Sequence, residues 1–208
     1  MKTLVAVILI CLVLPSIAFL PGPSNLAEIV NGFGDIFLLL CLLSILLFIP
    51  GIIVLAFECI DQFTKSKKRR FSKAAIYLTV VPASLVVSII YVQPLFRKMS
   101  IKTAISNAEP LIKSIDKYYA LTGSYPDSLE QVYTKLQIGK VNTGIVGIGD
   151  YYYQKLPNNY TIAFYQPLLF GLNADYVAYN NLDLIDTTLS YTDCKKLSEK
   201  KWRVYLLD

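Results

Sequence analysis

The 208-residue chain contains no histidine. That removes the commonest general base and the commonest metal ligand together, so an enzyme built on it would need something like a Ser-Lys dyad. Neighbours such as Ser114 with Lys113, or Ser198 with Lys195, have only adjacency to recommend them. Cysteine is scarce: Cys11, Cys41, Cys59 and Cys194 form no C-x-x-C pair and no disulfide framework. Charge is thin as well, at 17% of residues, where a soluble domain carries about a quarter. These absences set the expectation of a non-enzymatic protein with no catalytic residue, no metal site and no cofactor.

What fills the gap is apolar surface, 54% of the chain, and it is concentrated in the first half. Residues 1–96 hold eleven charged side chains, six of them within 65–73, whereas residues 97–208 carry 13 basic and 11 acidic residues and 13 of the 15 tyrosines. The change of character marks a boundary near residue 97. The second part has a net charge of only +2, too small a footprint for nucleic acid.

Three uncharged runs stand out, at about 4–20, 36–57 and 74–96. A helix needs about 20 apolar residues to cross a hydrocarbon core, so residues 1–96 read as a membrane domain with lipid as its solvent. The first run admits two readings, a retained span or a signal peptide, since Ser16 and Ala18 are small residues placed for cleavage after Ala18. Residues 21–34, with two Pro and three Gly, read as a loop. The connection at 58–73 contains Lys65, Lys67, Lys68, Arg69, Arg70 and Lys73, which the positive-inside rule assigns to the cytoplasm. Residues 97–208 then lie on the opposite face.

In that part, Ile101, Ala104, Ile105, Ala108, Leu111, Ile112, Ile115, Tyr118 and Tyr119 recur every three or four positions, as one face of an amphipathic helix does. Gly123 can end it. Asp127 and Glu130 have the spacing of a capping box for a second, short helix. Strands are expected at 151–156, 160–166, 175–179 and 202–207, with Pro157-Asn158-Asn159 as a turn. The run from Gly144 to Gly149 looks like a phosphate loop but precedes a strand, which excludes that reading. Asp183 and Asp186 read as solvated loop residues. The expected fold is α+β: transmembrane helices, then a long amphipathic helix packed on a small antiparallel sheet of three or four strands.

A span running into an amphipathic helix, then Tyr118-Tyr119, Gly123-Ser124-Tyr125-Pro126 and Ser128-Leu129, resembles the type IV pilins and type II secretion pseudopilins. The basic Lys68-Arg69-Arg70 followed by Phe71 is similar to the family's leader, but Arg70 stands where the family has Gly and Ala75 where it has Glu. The resemblance therefore implies a permanently anchored pilin-like domain. It further implies a bacterial inner-membrane protein whose periplasmic or extracellular domain is an interaction module for a secretion, pilus or envelope assembly. A small-ligand sensor or transport accessory subunit is the alternative, and a homo-oligomer stays open. Tyrosine suits interfaces through its apolar body and polar tip, and strand alternation sends half of a run inward. Tyr151, Tyr153, Tyr160 and Tyr165 are the expected partner contacts.

Overall fold

The computed structural model describes residues 2–65, 72–168, 174–185 and 190–207. The leader-like residues 68–71 and Asp186 lie outside the described residues. The chain divides into two compact units, residues 1–17 with 33–96 and residues 18–32 with 97–208. Among the described residues, three helical stretches are long and apolar enough to cross a membrane: Lys2–Phe19, Leu42–Thr64 and Lys73–Thr122.

In the first unit, α1 (Lys2–Val13) tightens into a 3-10 turn, Leu14–Phe19. Helix α2 (Ala27–Lys65) contains the expected 36–57 span and begins well before it. The expected loop at 21–34 is therefore too long. Glu28 lies in the first turn of α2, where a carboxylate meets the positive end of the helix dipole, and that long helix carries Gly32 and Gly34 at about 1 kcal/mol each.

The third apolar stretch starts at α3 (Lys73–Val87), capped by Ser72, whose hydroxyl accepts from the Ala75 N–H at 3.3 Å. Helical structure continues through one π turn, Ser88–Val92, into α4 (Gln93–Thr122). Pro94 lacks the N–H that would meet the Ile90 carbonyl and crowds it, and the wider turn just before accommodates the ring. Ser88 donates to the Leu12 carbonyl at 2.6 Å and Tyr77 to the Thr3 hydroxyl at 3.3 Å. Both partners advance together along the chain, so α1 and α3 run parallel. A Cβ on Gly51 would lie 2.9 Å from the Leu78 carbonyl carbon and oxygen, so only glycine allows α2 to approach α3 there. An apolar recess of about 280 Å³ between Phe48 and Val86 shows that these two helices run antiparallel.

In the second unit, α4 and α5 (Leu129–Leu136) accompany five antiparallel strands: β1 (Tyr152–Lys155), β2 (Tyr160–Pro167), β3 (Ala174–Asn180), β4 (Tyr191–Lys196) and β5 (Trp202–Leu207). Their order is β1-β2-β3-β5-β4. Ala104, Ala108, Leu111 and Ile115 of α4 pack on Tyr160, Ile162, Phe164, Val177, Trp202 and Val204 of the sheet, all buried. Fully burying each large aliphatic or aromatic chain is worth about 1.5–3 kcal/mol.

Three local expectations need correction. Tyr119 leaves the sheet-facing stripe, being exposed and stacked on Tyr125 at 4.4 Å. The N-cap of α5 is Ser128, not Asp127; the Asp127 carboxylate pairs with Lys155 at 2.7 Å, and its N–H donates to Gln131 at 2.9 Å. Asp183 is no free loop residue, for it pairs with Lys196 and, at 3.1 Å, with Arg203.

Residues 18–22 also belong to this unit. The Gly147 and Val146 N–H groups donate to the carbonyls of Ala18 and Leu20 at 2.8 and 3.0 Å, and the Gly22 N–H to Gly144 at 2.9 Å. Phe19 is buried. The stretch after the first span is thus an extended strip added to the helix-and-sheet unit.

Candidate functional site: the tyrosine face and its cleft

In β1 and β2, Tyr152 stands opposite Ala163, and Gln154 opposite Thr161. Alternation turns Ile162 and Phe164 toward α4, and Tyr152, Ala163 and Tyr165 to the other face of the sheet. There a single row of tyrosines crosses all five strands. Tyr152 meets Tyr165 edge-on at 5.2 Å, Tyr165 meets Tyr176 at 5.3 Å, Tyr176 meets Tyr205 at 6.0 Å, and Tyr205 meets Tyr191 at 5.1 Å. Such ring pairs add about 0.5–1.5 kcal/mol each beyond their area. Exposure falls from 57% at Tyr152 and 40% at Tyr165 to 8% at Tyr176 and 2% at Tyr205, and Tyr191 at the far edge is partly exposed, so the row is most open at its β1–β2 end.

That end borders a cleft of about 750 Å³, lined by Tyr152, Tyr165 and Pro167 of the sheet, by Lys140, Asn142 and Asp150 of the segment before β1, and by Ser24, Asn25 and Glu28. The size is that of a small-molecule site. Lys140 donates to Asp150 at 2.6 Å, and this carboxylate raises the Lys140 pKa.

The wall at 142–149 is held by Thr143, which is fully buried and donates to the carbonyls of Ile148 and Gly149 at 2.8 and 3.0 Å. Its own carbonyl accepts from Asn107 of α4 at 2.8 Å. Ile145 and Ile148 are fully buried. The glycine-rich run is therefore a packed loop leading into β1. Gly144 sits at φ 69°, and a Cβ there would meet Asn107 Nδ2 at 2.5 Å. Gly144→Ala is expected to cost about 1–3 kcal/mol from the left-handed backbone and the displaced amide. Gly139, with open space around it, is the silent control. Thermal unfolding of the full-length protein in detergent, followed by near-UV circular dichroism, checks the pair.

Of the four tyrosines expected at the surface, only Tyr165 lies on the open face. Tyr151 and Tyr160 are core residues; Tyr151 donates to the Ala104 carbonyl at 2.5 Å and Tyr160 to Asp116 at 3.0 Å. Tyr153 is half-buried and donates to the Pro126 carbonyl at 2.7 Å. Burial raises the pKa of all three hydroxyls, and the Asp116 charge adds to this at Tyr160. The exposed residue of the Tyr151-Tyr152-Tyr153 run is the middle one, because Tyr151 and Tyr153 share the inward phase. Pairing β1 with β2 by side-chain period would have found it.

The serines considered as nucleophiles are engaged elsewhere: Ser114 donates to the Pro110 carbonyl at 2.7 Å and Ser198 to Glu199 at 2.8 Å. Lys195 pairs with Asp193 at 3.2 Å. Among the described residues, no three Cys, Asp or Glu side chains converge where an ion could sit. No protein-family model, curated protein or solved structure matches the chain.

Proposed function

We propose that the chain is a membrane-anchored, non-enzymatic interaction module whose helix-and-sheet unit is displayed on the non-cytoplasmic face and contacts a secretion, pilus or other envelope assembly. The observation that carries this reading is the open end of the tyrosine row, a rigid aromatic patch of the kind interfaces favour. Its two exposed rings, Tyr152 and Tyr165, are fixed on paired strands. The orientation rests on the basic residues at 65–73, which the positive-inside rule keeps in the cytoplasm. The pilin likeness rests on the unbroken helix Lys73–Thr122 leading into a sheet, and on Gly123, which ends it at φ 74° with its N–H on the Tyr119 carbonyl at 2.8 Å.

In-cell crosslinking of tagged full-length protein, with mass spectrometry of what is recovered, tests the reading against a Tyr152→Ala/Tyr165→Ala control. The expected result is recovery of secretion or pilus components that falls several-fold in the control. Equal recovery from both proteins, or no such component in either, sinks the proposal. A second reading, a small-ligand sensor or transport accessory subunit, is favoured by the cleft alone.

A further inference from the structure

We propose that the cleft beside Tyr152 and Tyr165 is a binding site for a neutral oligosaccharide. A pyranose offers two chemistries at once: a flat row of C–H groups on its face and a rim of hydroxyls that both donate and accept. The cleft offers the complement of each. Tyr152 and Tyr165 present fixed, solvent-accessible rings on its sheet side. The same cleft is lined by Asn142 and Asn25, whose amides each donate and accept, and by Ser24 and Glu28, with a hydroxyl and a carboxylate. None of these four polar groups has a hydrogen-bond partner among the described residues, and neither tyrosine hydroxyl has one.

Charge narrows the ligand further. Glu28 and Asp150 face the cleft against a single cation, Lys140, and that cation is neutralised by Asp150 at 2.6 Å. The balance is acidic, which disfavours phosphate-bearing and other anionic ligands. Amides, hydroxyls and carboxylates around the wall would go unpaired against a lipid chain, and each unpaired polar group taken from water costs free energy. A ligand rich in hydroxyls and without charge satisfies the rings and the rim together.

The site shares its tyrosines with the protein-contact reading above, so the test uses purified full-length protein in detergent with no partner present. Isothermal titration is run with a soluble neutral glucan, an oligomer of N-acetylglucosamine and a mannan oligomer, and with tetralysine and inorganic phosphate as contrasts. At least one saccharide is expected to bind with a Kd below about 1 mM. Tyr152→Ala and Tyr165→Ala should each weaken it about tenfold or more, and Asn142→Ala several-fold. Tyr152→Phe should keep most of the binding, since the ring is retained. The unfolding midpoints of the variants show that the unit still folds. The proposal is overturned if none of the three saccharides binds up to about 10 mM, if neither alanine variant weakens binding, or if tetralysine or phosphate binds in the tyrosine-dependent way instead. Saccharide binding without crosslinked envelope proteins would remove the protein-contact reading and leave this one standing.

Discussion

Replacing Arg97 with methionine is expected to destabilise the helix-and-sheet unit by about 3–5 kcal/mol, the usual cost of stranding one member of a buried ion pair. Arg97, at the base of α4, pairs with Asp175 of β3, whose side chain is only 1% exposed. Next to the pair, Ser100 donates to Gln166 Oε1 at 3.3 Å, and Gln166 is fully buried. Among the described residues Asp175 Oδ1, Gln166 Nε2 and Arg97 Nε have no hydrogen-bond partner, so the cluster is already under-satisfied and its stability leans on the ion pair. Removing the arginine is worse than removing the acid, because the guanidinium is 27% exposed and can turn to water while the carboxylate cannot. Asp175→Asn should therefore cost less.

The pH dependence gives the prediction its signature. Without Arg97 the buried Asp175 carboxylate has lost its counter-charge, and burial favours its neutral form. Acid, by protonating it, removes the stranded charge, so the penalty is smallest in acid and larger at neutral pH. Acid should narrow the gap between the variant and the parent. The double substitution Arg97→Met/Asp175→Leu should recover most of the loss, a non-additivity of about 2 kcal/mol or more. Chemical denaturation of the full-length protein in detergent measures these variants together with the single Asp175→Leu, which closes the cycle. A single-variant loss under about 1 kcal/mol, or strict additivity, would show the pair to be dispensable.

Alkali should unfold the same unit cooperatively, at a pH above about 11. Tyr151, Tyr160 and Tyr179 are all buried. Burial raises the pKa of each, and the charge of Asp116 raises it further at Tyr160 and Tyr179. A raised folded pKa means that the stabilisation is complete below the unfolded value, about 10 for tyrosine, and is lost as pH climbs toward the folded one. Each such group contributes about 1.4 kcal/mol per pH unit in that window, so three contribute at most about 4 kcal/mol per unit. A domain stable by about 5–15 kcal/mol is exhausted within one to a few units. Tyr125, Tyr133 and Tyr153 shift the same way and steepen the transition. Phenolate absorbance and near-UV dichroism should change together in one sharp step. A shallow titration near pH 10 with the dichroism intact would refute this.

Much of the architecture was legible in the residues because long-period signals are strong. Uncharged runs of about twenty residues mark the spans whatever the tertiary context. The stripe from Ile101 to Tyr118 marks α4, and four of the five strands carry alternating or continuous apolar residues. The fifth, Tyr191–Lys196, escaped for a physical reason. It is an edge strand whose burial runs intermediate, exposed, exposed, intermediate, exposed, exposed, and its two lysines serve the edge against stray pairing instead of marking a buried face.

The open face was harder to read than the core. Exposure in a run of three tyrosines depends on which residue starts the inward phase, and that is set by pairing with β2 through Tyr152 opposite Ala163, a long-range fact. The strip at 18–22 escaped altogether. Its bonds are backbone to backbone with a loop more than a hundred residues away, and no side-chain pattern records a partner at such a distance.

That strip has a consequence for any crossing of a membrane by the chain. Residues 18–22 are hydrogen-bonded to residues 144–147, so both must lie in the same compartment, and the polypeptide between them must traverse the membrane an even number of times. Among the described residues of that interval, the helices long and apolar enough to cross a membrane are α2 and the α3–α4 rod, so both cross or neither does. A chain inserted with one of them misplaced would leave the two halves of the seam facing different solvents. Completion of the fold is in this way a parity check on insertion.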